Sequence, residues 1–167
     1  MPDTHLLKGS QTVANPWRII AKDDEVDAAA ISVDETILLP LAQWLAQSEA
    51  VAGKANIGVW LDSDESPEPL QPHCQQLALI AINFPAFADG RGYSYARILR
   101  DNYGYKGELR AIGDVLRDQL FFYQRCGFDS YLIREDRDAA QAADSLNDFS
   151  ACYQVGSDDF APLLVRK

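Results

Sequence analysis

The chain is poor in the residues that most often carry redox and metal chemistry. Only three of its 167 residues are Cys, two are His and one is Met. Cys74, Cys126 and Cys152 form no CxxC pair, and His73-Cys74 is an adjacent pair rather than a ligand spacing. The metal expectation is therefore none: zinc and iron–sulfur clusters lack an adequate ligand set. No GxSxG or Cys-His-Asn arrangement offers a nucleophile. Basic residues are also scarce, with 15 Lys and Arg against 25 Asp and Glu and a formal charge of −10. That balance argues against nucleic acid and anionic membranes, which need clustered cations. No run approaches the roughly 18 apolar residues of a membrane span. Met1 to Trp17 lacks the basic-then-apolar layout of a signal peptide, so the expected location is cytoplasmic with reduced thiols.

What is present is a hydrophobic fraction of 47% and three Trp, the composition of a folded chain. The length fits one domain but falls short of a complete eight-fold β/α barrel, which takes about 250 residues. Residues 1–15 are polar and expected to be loosely ordered. A single α/β domain is expected over 16–150, and residues 151–167 form a tail with one apolar cluster, Leu163 to Val165.

Pro16 to Ile20 reads as a short strand, and Asp23 to Asp34 as an acidic linker or short helix. Pro40 suits the first turn of a helix carrying Leu41, Trp44, Leu45, Ser48 and Ala52 on one face, with Gly53 as its stop. Asn56 to Leu61 reads as a strand and Leu70 to Gln76 as a short helix. Leu77 to Phe84 is apolar on both faces, as a central parallel strand requires. The spacing predicts a helix over Ser94 to Tyr103, with Arg97, Arg100 and Asp101 turned mostly outward. A strand at Glu108 to Ile112 follows, with Arg110 expected at a sheet edge. Asp114 is placed to cap the next helix, whose broad apolar face runs from Val115 to Cys126 and stops at Gly127. Phe128 to Ile133 is the next strand, and a final helix begins at Asp136.

This alternation implies an α/β fold with parallel strands, either half-barrel-like or an open doubly wound sheet. A half-barrel leaves sheet edges exposed, which favours a homodimer.

Loops after the carboxyl ends of parallel strands meet at one rim. Asn83, Asp89, Gly90, Arg91 and Gly92 belong to the first such loop, and Gly113, Asp114, Arg117 and Asp118 to the second. Arg134, Glu135 and Asp136 form the third. Arg91 and Arg117 carry forked donors suited to a small oxyanion, beside two expected helix amino termini. Gly90, Arg91, Gly92, Tyr93, Asp114 and Arg117 are the binding candidates. Asp89 and Asp118 are the proton-handling candidates. A purely structural reading stands beside this one: Asp114 caps, Asp89 pairs with Arg91, and the glycines serve the turn. Gly90 to Tyr95 begins like GxGxxG, but Tyr95 replaces the third glycine, so the dinucleotide match is incomplete.

Three blocks, Leu39 to Gln47, Phe87 to Arg100 and Gly107 to Tyr131, resemble the bacterial family called domain of unknown function 934. The likeness runs from about Ile37 to Gln154. The family's characteristic residues match at Asp89, Gly90, Arg91, Gly92, Tyr93, Gly113, Asp114, Asp118, Gln119, Gly127 and Phe128. The resemblance implies an accessory protein of sulfite and sulfate assimilation, with sulfite reductase or another sulfur-assimilation enzyme as partner and an oxidoreductase label. It supplies no catalytic residues, and the sequence carries no flavin, cluster or haem signature, so the cofactor is unknown.

Overall fold

A computed structural model describes residues 6–86 and 90–133, together with Ala139 and Ala142. Eight strands form one sheet: β1 (Leu6–Lys8), β2 (Gln11–Val13), β3 (Trp17–Ile19), β4 (Thr36–Pro40), β5 (Ile57–Leu61), β6 (Leu79–Phe84), β7 (Glu108–Gly113) and β8 (Ser130–Leu132). The α-helices bounded among the described residues are α1 (Leu41–Ala46), α2 (Ser48–Val51), α3 (Arg91–Arg97) and α4 (Leu120–Cys126).

The strand order is β2-β1-β8-β7-β6-β5-β4-β3. From β3 to β8 each strand pairs parallel with its sequence neighbour, and the order never reverses. A doubly wound sheet needs a reversal at a switch point. The architecture is therefore the half-barrel-like α/β fold. Chain length shows how strongly the sheet curls. β2 and β3 lie at opposite ends of the strand order, yet only residues 14–16 join them. Four residue steps reach at most about 14 Å, whereas seven gaps in a flat sheet would span roughly 34 Å.

Two apolar layers follow from strand alternation. The larger packs Ile37, Val59, Ile80 and Leu109 against helix residues such as Trp44, Leu99 and Tyr123. The smaller, on the other face, holds Leu38, Trp60, Leu79, Ala81 and Ile112. This second layer is why the β6 run is apolar at successive positions.

Several expectations are corrected. Residues 6–13, expected to be loose, form a β1–β2 hairpin, and β1 pairs antiparallel with β8. Leu6 and Leu7 are buried there, and their burial supplies the ordering that composition hid. Arg110 is not at an edge. It lies in β7 between β6 and β8, is 2% exposed, and donates to Ser130 Oγ, Asn15 Oδ1 and Glu108 Oε1. Glu108 also pairs with Lys8 at 3.1 Å. Arg100 turns inward as well. It donates to the carbonyls of Tyr105, Gly107 and Gly127 where the last turn of the α3 segment widens into a π-helix, Ile98–Asn102.

Asp114 does not cap a helix. Gly113 takes φ +91, Leu116 is extended, and a 3-10 turn at Arg117–Gln119 precedes α4. The Asp114 amide bonds the Phe84 carbonyl and the Val115 amide the Gly113 carbonyl, so this stretch is held in a turn rather than a helix. Strand β4 is a further difference, because the reading of Pro40 as a helix start hid the strand that ends on it. The expected helix from Asp136 and the tail cluster lie outside the described residues, apart from the two helical alanines.

Candidate functional site

The carboxyl ends of β3, β5 and β6 converge on a set of polar side chains. Asp62 follows the last residue of β5. Its Oδ2 pairs with Lys22 Nζ at 3.0 Å, and its Oδ1 accepts from Asn83 Nδ2 at 3.0 Å and from the Ser63 amide at 2.9 Å. Glu65 closes the turn by accepting the Asp62 amide at 2.7 Å, with its other oxygen 3.4 Å from Lys22 Nζ. The Lys22 ammonium lies 5.7 Å from the centre of the Trp60 ring, whose Nε1 donates to the Ile20 carbonyl at 2.8 Å. Strand ends thus meet strand-end loops, as the parallel topology dictates.

Both charges are held. Burial works against the Asp62 carboxylate, but hydrogen bonds from Lys22, Asn83 and the Ser63 amide outweigh it and keep the carboxyl below its ordinary range. Burial likewise works against the Lys22 ammonium, and its bonds to Asp62 and Glu65 outweigh that cost and raise its pKa. Both groups are therefore ionised at neutral pH, an arrangement suited to binding rather than to proton transfer.

Arg91 opens α3 and reaches the same loop, where its Nη2 donates to Ser63 Oγ at 3.1 Å. Tyr95, one turn on, donates to the Ser63 carbonyl at 2.9 Å. Ser63 itself is 5% exposed, and α3 holds it through both its hydroxyl and its carbonyl. The Asp114 amide donates to the Phe84 carbonyl at 2.7 Å, which ties the end of β7 to the end of β6.

The other sequence candidates fall in different surroundings. Gly92 is buried against β6: a Cβ there would meet Phe84 Cζ at 2.7 Å and Ile82 Cγ2 at 2.8 Å, so its smallness lets α3 approach the sheet. The Tyr93 ring lies 5.0 Å from Phe84, 4.7 Å from Phe122 and 5.1 Å from Tyr123, and burial raises its hydroxyl pKa. Gly90 is the exposed residue before α3. Arg117 and Asp118 sit on the exposed 3-10 turn. Asp89 and the third loop, Arg134 to Asp136, lie outside the described residues. Cys74 and Cys126 are buried and in no disulfide, and desolvation pushes the Cys74 thiol up. Among the described residues no group of three or more His, Cys, Asp or Glu is arranged to hold a metal ion.

Lys22 and Asp62 were not singled out as a site by sequence reasoning. Each follows an expected strand, Pro16 to Ile20 and Asn56 to Leu61. The polar residues just beyond every strand were the usable signal. Their pairing was not, since forty residues separate the two.

Fold and rim together define a curled β/α protein with a charged centre at the carboxyl ends of its strands. A family model described as "Bacterial protein of unknown function (DUF934)" matches residues 58–164, more than half of the chain. The chain belongs to this family. The match takes in Asp62, Asn83, Arg91 and Asp114 and begins after Lys22. No curated protein matches the chain. No helix among the described residues is long and apolar enough to cross a membrane.

Proposed function

We propose that this protein binds a small oxyanion at the carboxyl-end rim and acts as an accessory factor in assimilatory sulfite and sulfate reduction. One observation carries the binding part: the Arg91 guanidinium, a forked donor at the start of α3, reaches the loop after β5 and bonds the Ser63 hydroxyl beside the Lys22–Asp62 pair. The sulfur-assimilation part, the oxidoreductase label and a cytoplasmic setting rest on the sequence blocks and the composition already described. Sulfite, sulfate and phosphate are the probes. A ligand at a hundred times its Kd stabilises the folded state by about 2.7 kcal/mol, so a bound anion raises Tm. The rise is expected for wild type and is lost in Arg91→Ala. A flat response to all three anions in wild type removes the oxyanion reading.

A second reading is non-catalytic docking on sulfite reductase, with the protein acting as a dimer. Its support is Phe122, 52% exposed on α4 and packed on Tyr93. Phe122→Ser is expected to weaken such a complex, or the dimer, in sedimentation velocity. A complex unaffected by the change removes α4 as the docking face.

A further inference from the structure

Residues 20–35 join β3 to β4, and the one regular element among them is the three-residue 3-10 turn Ala28–Ala30. A parallel crossover is usually a helix packed on the sheet. Irregular connections of this length are uncommon and often work as lids. The two halves of this one are held differently. Ala28 is fully buried and Ile31 packs on the core. Lys54 donates to the Ala28 and Ala29 carbonyls at 3.3 Å, and Asn56 to those of Ser32 and Glu35 at 3.0 and 2.8 Å. From residue 21 to 27 every residue but the half-buried Val26 is exposed. Side chains tie this half down: Lys22 to Asp62 at 3.0 Å and Glu65 at 3.4 Å, Gln43 Nε2 to the Asp24 carbonyl at 2.6 Å, and Gln47 Nε2 to the Val26 carbonyl at 2.9 Å.

We infer that residues 21–27 form a strap that lifts from the carboxyl-end rim while the sheet stays folded, latched by Lys22 and hinged at the buried Ala28. Local opening is cheap where few apolar contacts are lost. Two features lower its cost further. The strap carries Asp23, Asp24, Glu25 and Asp27 beside a rim that holds Asp62 and Glu65, with Lys22 as its one cation. Like charges therefore face each other once the latch is broken. Gln43 gives its Nε2 to the strap, but its Oε1 is buried without a partner. Lifting the strap returns water to that oxygen and relieves its desolvation. The open form separates Lys22 from Asp62 and Glu65 and bares the rim over the end of β4, so the strap controls access there. This device goes beyond the oxyanion reading and stands or falls without it.

The test is native-state proteolysis of the full-length protein by a glutamate-specific protease, with cleavage after Glu25 followed by mass spectrometry. At low protease the rate reports the population of the cleavable form. Cleavage after Glu25 is expected in native buffer. Ile80→Val removes one fully buried carbon from β6 and raises global unfolding about two- to tenfold, yet is expected to leave that cleavage rate unchanged. Lys22→Met is expected to speed it about two- to fivefold, the worth of a partly exposed ion pair, and Lys22→Arg to restore the wild-type rate. Should Lys22→Met fail to fold, the Ile80→Val comparison decides alone. No cleavage after Glu25 in native buffer, an acceleration by Ile80→Val that matches global unfolding, or a wild-type rate in a folded Lys22→Met each overturns the strap.

Discussion

Replacing Arg110 with Met probes how the inner face of the curled sheet is held together. The guanidinium donates at 3.1 Å to Ser130, 3.0 Å to Asn15 and 2.8 Å to Glu108, and Met supplies a comparable stem with none of these bonds. Glu108 keeps Lys8 at 3.1 Å and the Ser130 hydroxyl at 2.7 Å, and its side chain is 17% exposed. Breaking a buried ion pair costs about 3–5 kcal/mol, and the surviving partners place this case near the lower end, about 3 kcal/mol. A domain of this size loses about 2–4 °C per kcal/mol, so Tm falls by about 6–12 °C. The double variant Arg110→Met/Glu108→Gln is expected to recover at least half of the loss, because no carboxylate is then left without its main cation. Acid gives a second check. Burial alone would raise the Glu108 carboxyl, but bonds from Ser130 and Arg110, the Arg110 charge and Lys8 hold it below its ordinary value. A depressed folded pKa contributes stability above the unfolded pKa, and this is lost as pH falls through the folded one. Without the Arg110 bond and charge, the folded pKa moves up from that low value. The gap between variant and wild type should then narrow as pH falls below about 4.3. Urea denaturation at pH 7 and at about pH 3.5 measures both effects. A loss below about 1 kcal/mol, no recovery in the double variant, or a gap that widens in acid would refute the reasoning.

Gly92→Ala is expected to cost about 1–3 kcal/mol, because its Cβ would meet the Phe84 ring and Ile82 at 2.7–2.8 Å. Gly90→Ala, with 3.7 Å to its nearest neighbour and a negative φ, should stay within about 0.5 kcal/mol, and thermal melts separate the two. Gly113→Ala places a Cβ 2.3 Å from Asn83 Oδ1 at φ +91, so a loss of at least about 1–3 kcal/mol is expected in the same melts. The Asp62 carboxyl lies below its ordinary value, so its stabilisation is present above the unfolded pKa and fades as pH falls through the folded one. Asp62→Asn should flatten that acid limb in pH-dependent urea titrations, by under about 1 kcal/mol because the pair is partly solvated.

Local chemistry alone placed much of this protein. Helix-spaced apolar residues from Leu41 onward, the two-faced apolar run of β6 and the left-handed stop at Gly127 are short-range signals; the last two appear in the structure, and the first does so as two short helices, α1 and α2, split at Gln47 and ending before Ala52. The rim was legible to the same extent: residues after strand ends can be named without knowing which strands adjoin, and Arg91 and Asn83 lie there. Tertiary structure decided the rest. Nothing local distinguishes a sheet that adds every strand on one side from one that reverses, because strand order depends on where each crossover packs. Arg110 looked like an edge residue because a lone cation in a strand is costly to bury. Glu108, Ser130 and Asn15, the last brought in by the segment between β2 and β3, remove that cost. Asp114 satisfied a capping rule, but Gly113 at φ +91 and the extended Leu116 move the next helical turn to Arg117. Lys22 and Asp62 read as ordinary solvated charges until the strand order set the ends of β3 and β5 on either side of β4. Their pairing is a property of the sheet order, because only strand pairing brings residues so distant in sequence within hydrogen-bonding reach.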